Sequence, residues 1–521
     1  MLVYEILDHK SHAANDRPAI VFHGLERTFG QLRTRSCQLA NALLALAEPG
    51  DRVAVLSYNS LEYAEAYYGI PRAGMTMVVI NYRLTPAEMA SVLSSVSPCV
   101  LIVEPDFLDV VDYLRATVGS VRHILITGAT AAGGYEDLVG NASAHPPAIV
   151  PSVDDVAWLL FTSGTTGLPK SAMLTHRNIV AGVVNSSLCW GTGQYKSLLL
   201  PWPMYHIAGY AMLEMHLHGN TVHLLRKFDR EEFLTQIQER RITDITLAPT
   251  MISMLLEADA KDIDLSSIEH VYYGSAPMPL TTLREAMKRL PGARFRCGYG
   301  MTEAAGLVMY LSDTDHELAA RTGDPLLGSV GRAMPLTAIK VVDGQGKEVP
   351  TGEVGEILIK GDQVITAIWQ GGDIPPQPVP GGWFATGDLG RFDDRGYMYI
   401  VDRSKDMIIS GGENIFSKEI EDILYQLPEV AQAAVFGVPD EYWGENVVAA
   451  LRLKPGSQLT RDAVLAHCRI HLAGYKKPKL ILFVDEMPLN PSGKILKRVL
   501  REWVSTENFD DLQQSQSGHG T

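Results

Sequence analysis

Hydrophobic and polar positions alternate between strand-like and helix-like patterns over the first 310 residues. Residues 52–57 and 76–80 are short apolar runs typical of buried strands, and residues 61–70 between them have helical periodicity. Further strand patterns lie at 156–161, 222–225, 244–247 and 270–273. Strands alternating with helices predict parallel sheets with helices on their faces. The predicted fold class is therefore α/β, with a large N-terminal domain of mixed and parallel sheets with flanking helices.

The pattern changes twice in the second half of the chain. Short β segments separated by Gly/Asp turns dominate residues 326–401, which indicates a β-rich subdomain that completes an N-terminal domain of residues 1–401. Residues 402–505 then read as a small mobile α+β domain. Its predicted elements are a helix at 417–427, strands at 431–438 and 447–453, a helix at 460–472 and a strand at 480–484. The polar tail, residues 506–521, is expected to be disordered.

Composition narrows the class of protein. A net charge of −15 without a long basic run argues against nucleic acid and anionic membranes as main partners. The five cysteines are scattered and form no paired motif, which fits reduced thiols in the cytoplasm. The N-terminus lacks the features of a signal peptide, and no apolar run approaches the ~20 residues that span a bilayer. We therefore expect a cytoplasmic enzyme without a transmembrane segment.

The loop of residues 162–170 carries the strongest chemical signal. After a strand-like run, two glycines and four hydroxyl residues occupy seven positions, and a lysine follows. Such a loop directs backbone N–H groups, hydroxyls and one cation at an anion, which favours a polyphosphate ligand. Its spacing differs from that of the common P-loop. An ordinary flexible turn is the alternative. The residues concerned are Thr162, Ser163, Gly164, Thr165, Thr166, Gly167 and Lys170.

Four more segments have the composition of a nucleotide site. Residues 298–303 bring an aromatic ring, a hydroxyl and a carboxylate together, and residues 383–388 end in a carboxylate suited to a ribose diol. Residues 405–415 contain a double glycine, which indicates close backbone approach. Residues 490–495 form a Pro/Gly turn that presents one lysine. Taken singly, each is equally an ordinary turn with a solvated charge.

Together, in this order, the five segments resemble the acyl-CoA synthetase branch of the adenylate-forming superfamily over residues 10–503. The resemblance implies activation of a carboxylic acid with ATP, giving an acyl-adenylate and pyrophosphate, followed by transfer to coenzyme A. It also implies Mg²⁺, held by Glu303 and Thr166. No insertion or carrier-protein domain is evident, so a stand-alone ligase is expected, with a homodimer as an open option.

The resemblance assigns roles to residues throughout the chain. Lys494 would bridge the acid and the α-phosphate, with Thr302 at that phosphate and Asp388 and Arg403 at the ribose. The adenine would lie against Tyr299, beside a wall of backbone that comprises Gly274, Ser275, Ala276, Gly300 and Met301. Asp402 would be the hinge of domain alternation. Coenzyme A would pass Ser410, Gly411, Gly412 and Lys476.

His206 belongs to an aromatic–histidine motif that, in the family, lies over the acyl carboxylate. A metal site formed with His216 and His218 is the rival interpretation, although no further ligands of metal-site type complete it. The implied acyl pocket is apolar, with several small residues. Its residues are Tyr205, Ile207, Ala208, Gly209, Tyr210, Met212, Tyr273, Gly306, Leu307 and Val308.

An apolar pocket predicts a hydrophobic acid. A medium- or long-chain fatty acid leads, with a polycyclic terpenoid or steroid-derived acid and an aromatic acid as alternatives. Two other functions stay open: an enzyme that loads a carrier protein's phosphopantetheine, and a non-catalytic nucleotide-binding regulator. The second would be expected to lack Lys494 or Glu303, and both are present.

Overall fold

The structure is a computed structural model that describes residues 1–129, 131–162, 170–191, 193, 195–257, 263–369, 377–490 and 494–504. Most of the predicted phosphate loop, Ser163 to Gly167, lies outside the described residues, as do the side chains of Thr162 and Lys170. None of the helices in the described ranges combines the length and the apolar composition of a membrane-spanning segment.

The first part of the chain alternates strands and helices as the periodicity predicts. The pattern at 61–70 becomes a helix and those at 52–57 and 76–80 become strands, which confirms these predictions. The elements are α1 (Glu5–Ala13), β1 (Pro18–Phe22), β2 (Leu25–Thr28), α2 (Phe29–Leu44), β3 (Arg52–Leu56), α3 (Leu61–Arg72), β4 (Thr76–Val79), α4 (Pro86–Val96), β5 (Val100–Val103), α5 (Leu108–Thr117), β6 (His123–Ile126), α6 (Tyr135–Asn141) and β7 (Val156–Thr162).

The alternation continues through residue 322. The strand predicted at 244–247 is confirmed at those bounds, and a helix lies on each side of it in the sequence. The elements are β8 (Lys170–Thr175), α7 (His176–Trp190), β9 (Ser197–Leu200), α8 (Ala211–Leu217), β10 (Thr221–Leu224), α9 (Arg230–Arg240), β11 (Asp244–Leu247), α10 (Pro249–Leu256), β12 (His270–Gly274), α11 (Leu280–Arg289), β13 (Arg294–Met301), β14 (Gly306–Leu311) and α12 (Asp313–Thr322).

Short strands then dominate before the α+β pattern of the C-terminal domain. The elements are β15 (Arg332–Ala333), β16 (Ala338–Val342), β17 (Gly355–Lys360), β18 (Ala367–Trp369), β19 (Gln377–Pro378), β20 (Phe384–Phe392), β21 (Met398–Arg403), β22 (Ile408–Ser410), β23 (Glu413–Ile415), α13 (Ser417–Leu424), β24 (Val430–Asp440), β25 (Gly444–Leu453), α14 (Arg461–His471), β26 (Leu480–Phe483) and α15 (Lys497–Trp503).

Two large sheets form the N-terminal domain. Among the described residues, the first has the order β15-β14-β13-β12-β11-β9-β10-β1-β2 and the second β19-β18-β8-β7-β4-β3-β5-β6. The central strands of both sheets run parallel, and antiparallel strands stand at the margins. Strands β16, β17, β20 and β21 make a separate antiparallel sheet. The α/β prediction is confirmed, including the β-rich segment.

The small C-terminal sheet is apolar on both faces. Along β24, Ala433 and Val435 pack in a cluster with α13 and α14. The alternate residues Ala434 and Phe436 pack on the other face, against Leu500 of α15. Because successive side chains of a strand point to opposite faces, helices on both sides demand a continuous apolar run. This explains why the predicted strand at 431–438 shows no polar alternation.

Candidate active site

The carboxylate of Asp388 joins two sheets at the centre of the candidate site. It lies on β20, opposite Arg403 of β21 in the strand register, and Arg403 Nε is 3.0 Å from Asp388 Oδ1. From β13 of the large sheet, the Tyr299 hydroxyl donates to Asp388 Oδ2 at 2.5 Å. Burial, and then the Asp388 carboxylate, raise the pKa of Tyr299 well above its usual value. The structure therefore brings together all three residues that the sequence assigned to the nucleoside.

The backbone next to Tyr299 forms the wall assigned to the nucleotide. Gly274 ends β12 and pairs with Gly298 within β13, so the parallel pairing of these two strands stops here. Ser275 follows with φ of +73°, a left-handed conformation that non-glycine residues seldom adopt. Its side chain is exposed. Ligands of open α/β sheets bind at the carboxyl ends of strands, and this wall has that position.

Thr302 and Glu303 follow β13 directly, in a single 3-10 turn at Thr302–Ala304. Both side chains are half-buried. The backbone carbonyl of Glu303 accepts from the Ile365 N–H at 2.9 Å, which fixes the turn to the segment before β18. Strand β8, which begins at Lys170, contacts the same turn. The phosphate-loop strand and the Glu303 turn are thus neighbours, as a phosphate–cation site requires.

The C-terminal domain places Lys494 beside the Asp388–Arg403 pair. Burial lowers the pKa of Lys494 to about 8, and Arg403 adds to that effect while Asp388 opposes it. Asn490 holds the lysine in a tight turn: its side-chain oxygen accepts from the Lys494 N–H at 2.8 Å, and its own N–H donates to the Lys494 carbonyl at 2.8 Å. Residues 491–493 of this turn lie outside the described part. The charge of Lys494 is therefore near enough to Arg403 and Asp388 to interact with both.

Asp402, the predicted hinge, lies at the junction of β21 and the C-terminal domain. Its Oδ2 accepts from the Ser417 N–H at 2.5 Å and its Oδ1 from the Ser417 hydroxyl at 3.1 Å. Lys497 donates to that hydroxyl at 2.6 Å and pairs with Glu421 at 2.8 Å. Asp402 thus caps the first residue of α13. Ser417 and Lys497 could not be found from the sequence, because a contact over 15 or 80 positions leaves no local signal.

His206 lies in the N-terminal domain with its ring stacked on Trp202, at 5.8 Å between ring centroids. Its Nδ1 accepts from the Ala208 N–H at 3.2 Å. Burial lowers the pKa of His206 to about 4, so the ring is neutral at physiological pH. The preceding Tyr205 is buried against Tyr82, edge to face at 5.1 Å. The aromatic–histidine motif is thus a rigid, uncharged wall.

The two other histidines of the rival metal interpretation are engaged elsewhere. His216 is in the core, where Nδ1 bonds the Tyr68 hydroxyl at 2.6 Å and Nε2 the Ala19 carbonyl at 2.9 Å. His218 Nε2 bonds the Ser187 hydroxyl at 2.6 Å. Within the described ranges, no group of three or more His, Cys, Asp or Glu residues has the geometry to hold a metal. With its ring nitrogens bonded, His216 serves as a core residue.

One wall of the predicted acyl pocket is a glycine packed on a tyrosine. Gly306 has φ of +117°, and a Cβ there would lie 2.5 Å from Cζ of the Tyr210 ring, so no side chain fits. The Tyr210 hydroxyl is 2.8 Å from that of Ser186 on α7. Residues 207–210 form one 3-10 turn that leads into α8. Ile207, Met212 and Tyr210 belong to the main core cluster, and Ala208 and Leu307 are half-buried.

Two residues assigned to that pocket face other parts of the structure. Val308 is buried in the cluster formed with the β-rich sheet, against Val341 and Ile357. The hydroxyl of Tyr273 bonds His316 Nε2 at 2.7 Å. Its neighbour Tyr272 points to the opposite face of the sheet, as strand geometry requires, and stacks on Trp190 of α7. The structure thus puts Tyr272, rather than Tyr273, on the face of α7 and α8.

The double glycine assigned to coenzyme A forms a two-residue hairpin turn. Ser410 pairs with Glu413 across it, and Gly411 and Gly412 have φ of +62° and +83°. A Cβ on Gly411 would lie 3.0 Å from the ring of Trp443, a half-exposed aromatic that the sequence analysis passed over. Lys476 pairs with Glu419 at 2.7 Å. Ser410 is buried, and the turn is exposed next to Trp443.

Comparison with known proteins gives a consistent result. A family model described as AMP-binding enzyme matches residues 7–369, and one described as AMP-binding enzyme C-terminal domain matches residues 419–494. A feruloyl-CoA synthase from Amycolatopsis sp is 37% identical over 93% of this chain and 95% of its own length. The long-chain-fatty-acid–CoA ligase FadD13 of Mycobacterium tuberculosis is 33% identical over 92% of this chain and 93% of its own.

A solved structure extends the similarity to three dimensions. The anthranilate CoA ligase AuaEII, in complex with anthranoyl-AMP, superposes with a TM-score of 0.90 at 26% identity and covers 98% of both chains. Both the N-terminal sheets and the small C-terminal domain are therefore shared.

Proposed function

Because this chain belongs to the AMP-binding enzyme family and is an acid–thiol ligase, we propose that it activates a hydrophobic carboxylic acid with ATP and transfers the acyl group to coenzyme A. The position of Lys494 beside Asp388 and Arg403 carries the proposal. This position brings a cation of the C-terminal domain close to the residues proposed to bind the nucleoside. Carboxylate attack on a phosphate needs such an arrangement.

In the first half-reaction, a carboxylate oxygen of the acid attacks the α-phosphorus of ATP. An O–P bond to the acid forms while the bond to pyrophosphate breaks. Two anions must meet, so the barrier is mainly electrostatic, and a cation held at the meeting point lowers it. Lys494 supplies that cation, while the Asp388–Arg403 pair and the Tyr299 ring hold the nucleoside. Fixing the reactants in line accounts for a large further part of the acceleration.

The donor chemistry near Thr302 fits Mg²⁺. Glu303 offers a carboxylate in the turn next to the phosphate-loop strand, and hard cations of this kind combine one or two carboxylates with substrate phosphates. Bound there, the ion would screen the charge of the phosphates. Thr166, the second expected ligand, lies outside the described residues.

In the second half-reaction, the thiol sulfur of coenzyme A attacks the acyl carbonyl, and the C–O bond to AMP breaks. Lys494 now occupies the site, so the C-terminal domain must rotate to admit the thiol. We place the pivot at Asp402, which connects β21 to α13. Rotation brings the Gly411 turn to the site as the thiol's channel. The neutral ring of His206 beside the acyl group excludes water without adding a competing charge.

The acyl group is proposed to be hydrophobic. The relatives bear names that refer to an aromatic acid and to long-chain fatty acids, and the Tyr210–Gly306 wall is apolar.

The five thiols of the chain are free, which fits our proposal of a cytoplasmic enzyme.

The test is a panel of fatty, aromatic and polycyclic acids, with pyrophosphate release measured with and without coenzyme A and the thioester detected by mass. Acid-dependent pyrophosphate release followed by thioester formation supports the proposal. Pyrophosphate release with acyl transfer only to a phosphopantetheinylated carrier protein would show that the carrier protein, and not coenzyme A, is the acceptor. Absence of acid-dependent pyrophosphate release for every class would overturn the assignment.

A further inference from the structure

A buried asparagine links the two large sheets next to the backbone that leads to His206. Asn59 follows β3 of the second sheet, and its Nδ2 donates to the carbonyls of Trp202 and Leu225, at 2.8 Å in each case. These two residues follow β9 and β10 of the first sheet. The Oδ1 of Asn59 accepts from the Met204 N–H at 2.7 Å. One side chain therefore joins segments that follow three strands of two different sheets.

The hydroxyl of Tyr67, on α3, bonds the same segment. It donates to the Met204 carbonyl, and its ring packs on Trp158 of β7 with 4.6 Å between ring centroids. Strand β7 belongs to the second sheet and leads to the predicted phosphate loop. A Cβ on Gly209 would lie 2.6 Å from the Tyr67 hydroxyl oxygen, so this close approach requires glycine. Tyr67 thus connects the strand before the phosphate loop to the backbone before His206.

The backbone between Trp202 and His206 has little freedom left. The asparagine and the tyrosine bond the Trp202 carbonyl and both the N–H and the carbonyl of Met204. The Pro203 carbonyl accepts from the His206 N–H at 2.9 Å, and proline has no N–H of its own. Every backbone hydrogen-bonding group from the Trp202 carbonyl to the Met204 carbonyl is thus engaged. Because the His206 ring also stacks on Trp202, these bonds fix the position of that ring.

We propose that Asn59 and Tyr67 are positioning residues for adenylate formation, and that they act through Met204 on His206. The inference rests on the proposed function, in which His206 lies beside the acyl group and the phosphate loop binds ATP. The histidine follows a strand of the first sheet, and the loop follows a strand of the second. The two side chains therefore set the distance between the reactants where the two sheets meet.

The first half-reaction depends strongly on this distance. A carboxylate oxygen must approach the α-phosphorus in line with the departing pyrophosphate, and a misplacement of about 1 Å can slow a reaction ~10²-fold. Loss of either side chain leaves a buried backbone group of Met204 without its partner, which is unfavourable, so the segment moves to regain a bond. Such a movement shifts His206 relative to β7 without removing a group assigned to the nucleotide.

Helix α3 carries matched controls for Tyr67. Tyr63, Tyr67 and Tyr68 are each at most 1% exposed. The Tyr68 hydroxyl bonds His216 Nδ1 in the core at 2.6 Å, whereas the Tyr63 hydroxyl has no hydrogen-bond partner among the described residues. Phenylalanine at each position removes one oxygen atom from the same helix. The three variants therefore lose, in the order of the chain, no bond, a bond to Met204 and a bond to the core.

The experiment measures kcat and KM of acid-dependent pyrophosphate release, together with melting temperature. The acid is ferulate, dodecanoate or cholate, whichever the wild-type enzyme turns over fastest. Tyr67→Phe should lower kcat about tenfold and leave KM for ATP within about twofold of wild type, because alignment is impaired rather than nucleotide binding. Tyr68→Phe should melt at a lower temperature with kcat unchanged, since it loses a core hydrogen bond. Tyr63→Phe should match wild type in both.

A second set of variants tests the route through His206. If Tyr67 acts through the histidine, then in a His206→Ala background Tyr67→Phe should lower kcat by less than about twofold more, because the two effects share one cause. Asn59→Ala leaves the Met204 N–H and two carbonyls without partners, so it should lower kcat at least as far as Tyr67→Phe does. Should Asn59→Ala fail to fold, the tyrosine variants still decide.

Two outcomes would overturn the inference. One is a Tyr67→Phe variant that, like Tyr68→Phe, melts at a lower temperature with kcat unchanged, which would mean that the tyrosine only supports the fold. The other is an undiminished effect of Tyr67→Phe in the His206→Ala background, which would exclude action through the histidine. In both cases the wild-type enzyme still activates acids and the proposed function stands. If no acid releases pyrophosphate with wild-type enzyme, both proposals fail.

Discussion

Arg452 of the C-terminal domain pairs with Glu257 of the N-terminal domain, with 3.1 Å between Nη2 and Oε1. The pair spans 195 positions and accompanies the placement of Lys494 beside Asp388. It is a direct side-chain contact between the domains, and rotation of the C-terminal domain would break it. The pair therefore favours the present arrangement, in which we propose that the adenylate forms.

Glu257→Gln should weaken this arrangement. A partly exposed ion pair contributes about 0.2–1 kcal/mol, so adenylate formation should slow by up to about fivefold. The thioester step, started from supplied acyl-adenylate, should be unchanged or slightly faster. Rapid-quench measurement of each half-reaction checks this. Arg241→Gln breaks a surface pair with Asp264 inside the N-terminal domain and is the control. Equal slowing of both steps by Glu257→Gln would contradict the prediction.

Adenylate formation should depend on the protonation of Lys494. With a pKa of about 8, the lysine is charged below that pH and neutral above it, so the rate should fall as pH rises through 8. Arg403 and Lys405 lower this pKa, and Asp388 and Asp406 raise it. Lys494→Ala should reduce adenylate formation by at least ~10²-fold, the usual scale for one charge-stabilising group.

Lys494→Arg supplies the control for the pH profile. Guanidinium stays charged across the range, so the alkaline fall near pH 8 should disappear even where the maximal rate is lower. A profile with the same alkaline limit in both proteins would assign the titration to another group. Near-normal pyrophosphate release by Lys494→Ala would remove Lys494 from the first half-reaction.

Gly411→Asn should distinguish a role of Gly411 in the proposed coenzyme A channel from a role in the hairpin turn alone. Asparagine tolerates the left-handed backbone of the turn, but its Cβ would meet the Trp443 ring. We expect adenylate formation to persist and attack by coenzyme A to fall by about 10²-fold, because a small displacement of the thiol is costly. Gly456→Asn has the same kind of backbone, with φ of +75°, and open space around it, and should leave both steps intact. Loss of both half-reactions in Gly411→Asn would mean that the glycine serves only the turn.

Glu214 should make stability depend on pH. Its folded pKa of about 8 lies above the usual 4.5, so its neutral form stabilises the fold at low pH and this contribution is lost as pH rises to 8. Asp244 raises that pKa and Arg296 lowers it, and Cys189, Tyr210 and Tyr272 face the same carboxyl. Relative to Glu214→Gln, wild type should lose a few kcal/mol at most between pH 5 and 8.5.

Melting curves of the two proteins across that range measure the effect. The gap in melting temperature should move in favour of Glu214→Gln as pH rises. A constant gap would show that the carboxyl is ionised, or paired, throughout.

Local secondary structure could be predicted from the sequence itself. A strand pattern predicted β11 at residues 244–247, and the double glycine predicted close backbone approach at Gly411, because strand burial and left-handed backbone depend on neighbouring residues. Lys494, Asp388 and Arg403 could also be singled out from the sequence, since each stood in a short segment of distinctive composition. Their assignment to one site came from the order of those segments.

Tertiary structure alone decided which residues meet. Tyr299 reaches Asp388 across 89 positions and Lys497 reaches Ser417 across 80, so neither contact leaves a local trace. The choice of Tyr272 over Tyr273 depends on which face of β12 the helix α7 covers, and a one-residue difference reverses that face. The unpaired state of Glu214 exists only because two helices and a sheet bury it together. Such relationships arise from packing over long sequence separations, which local periodicity does not encode.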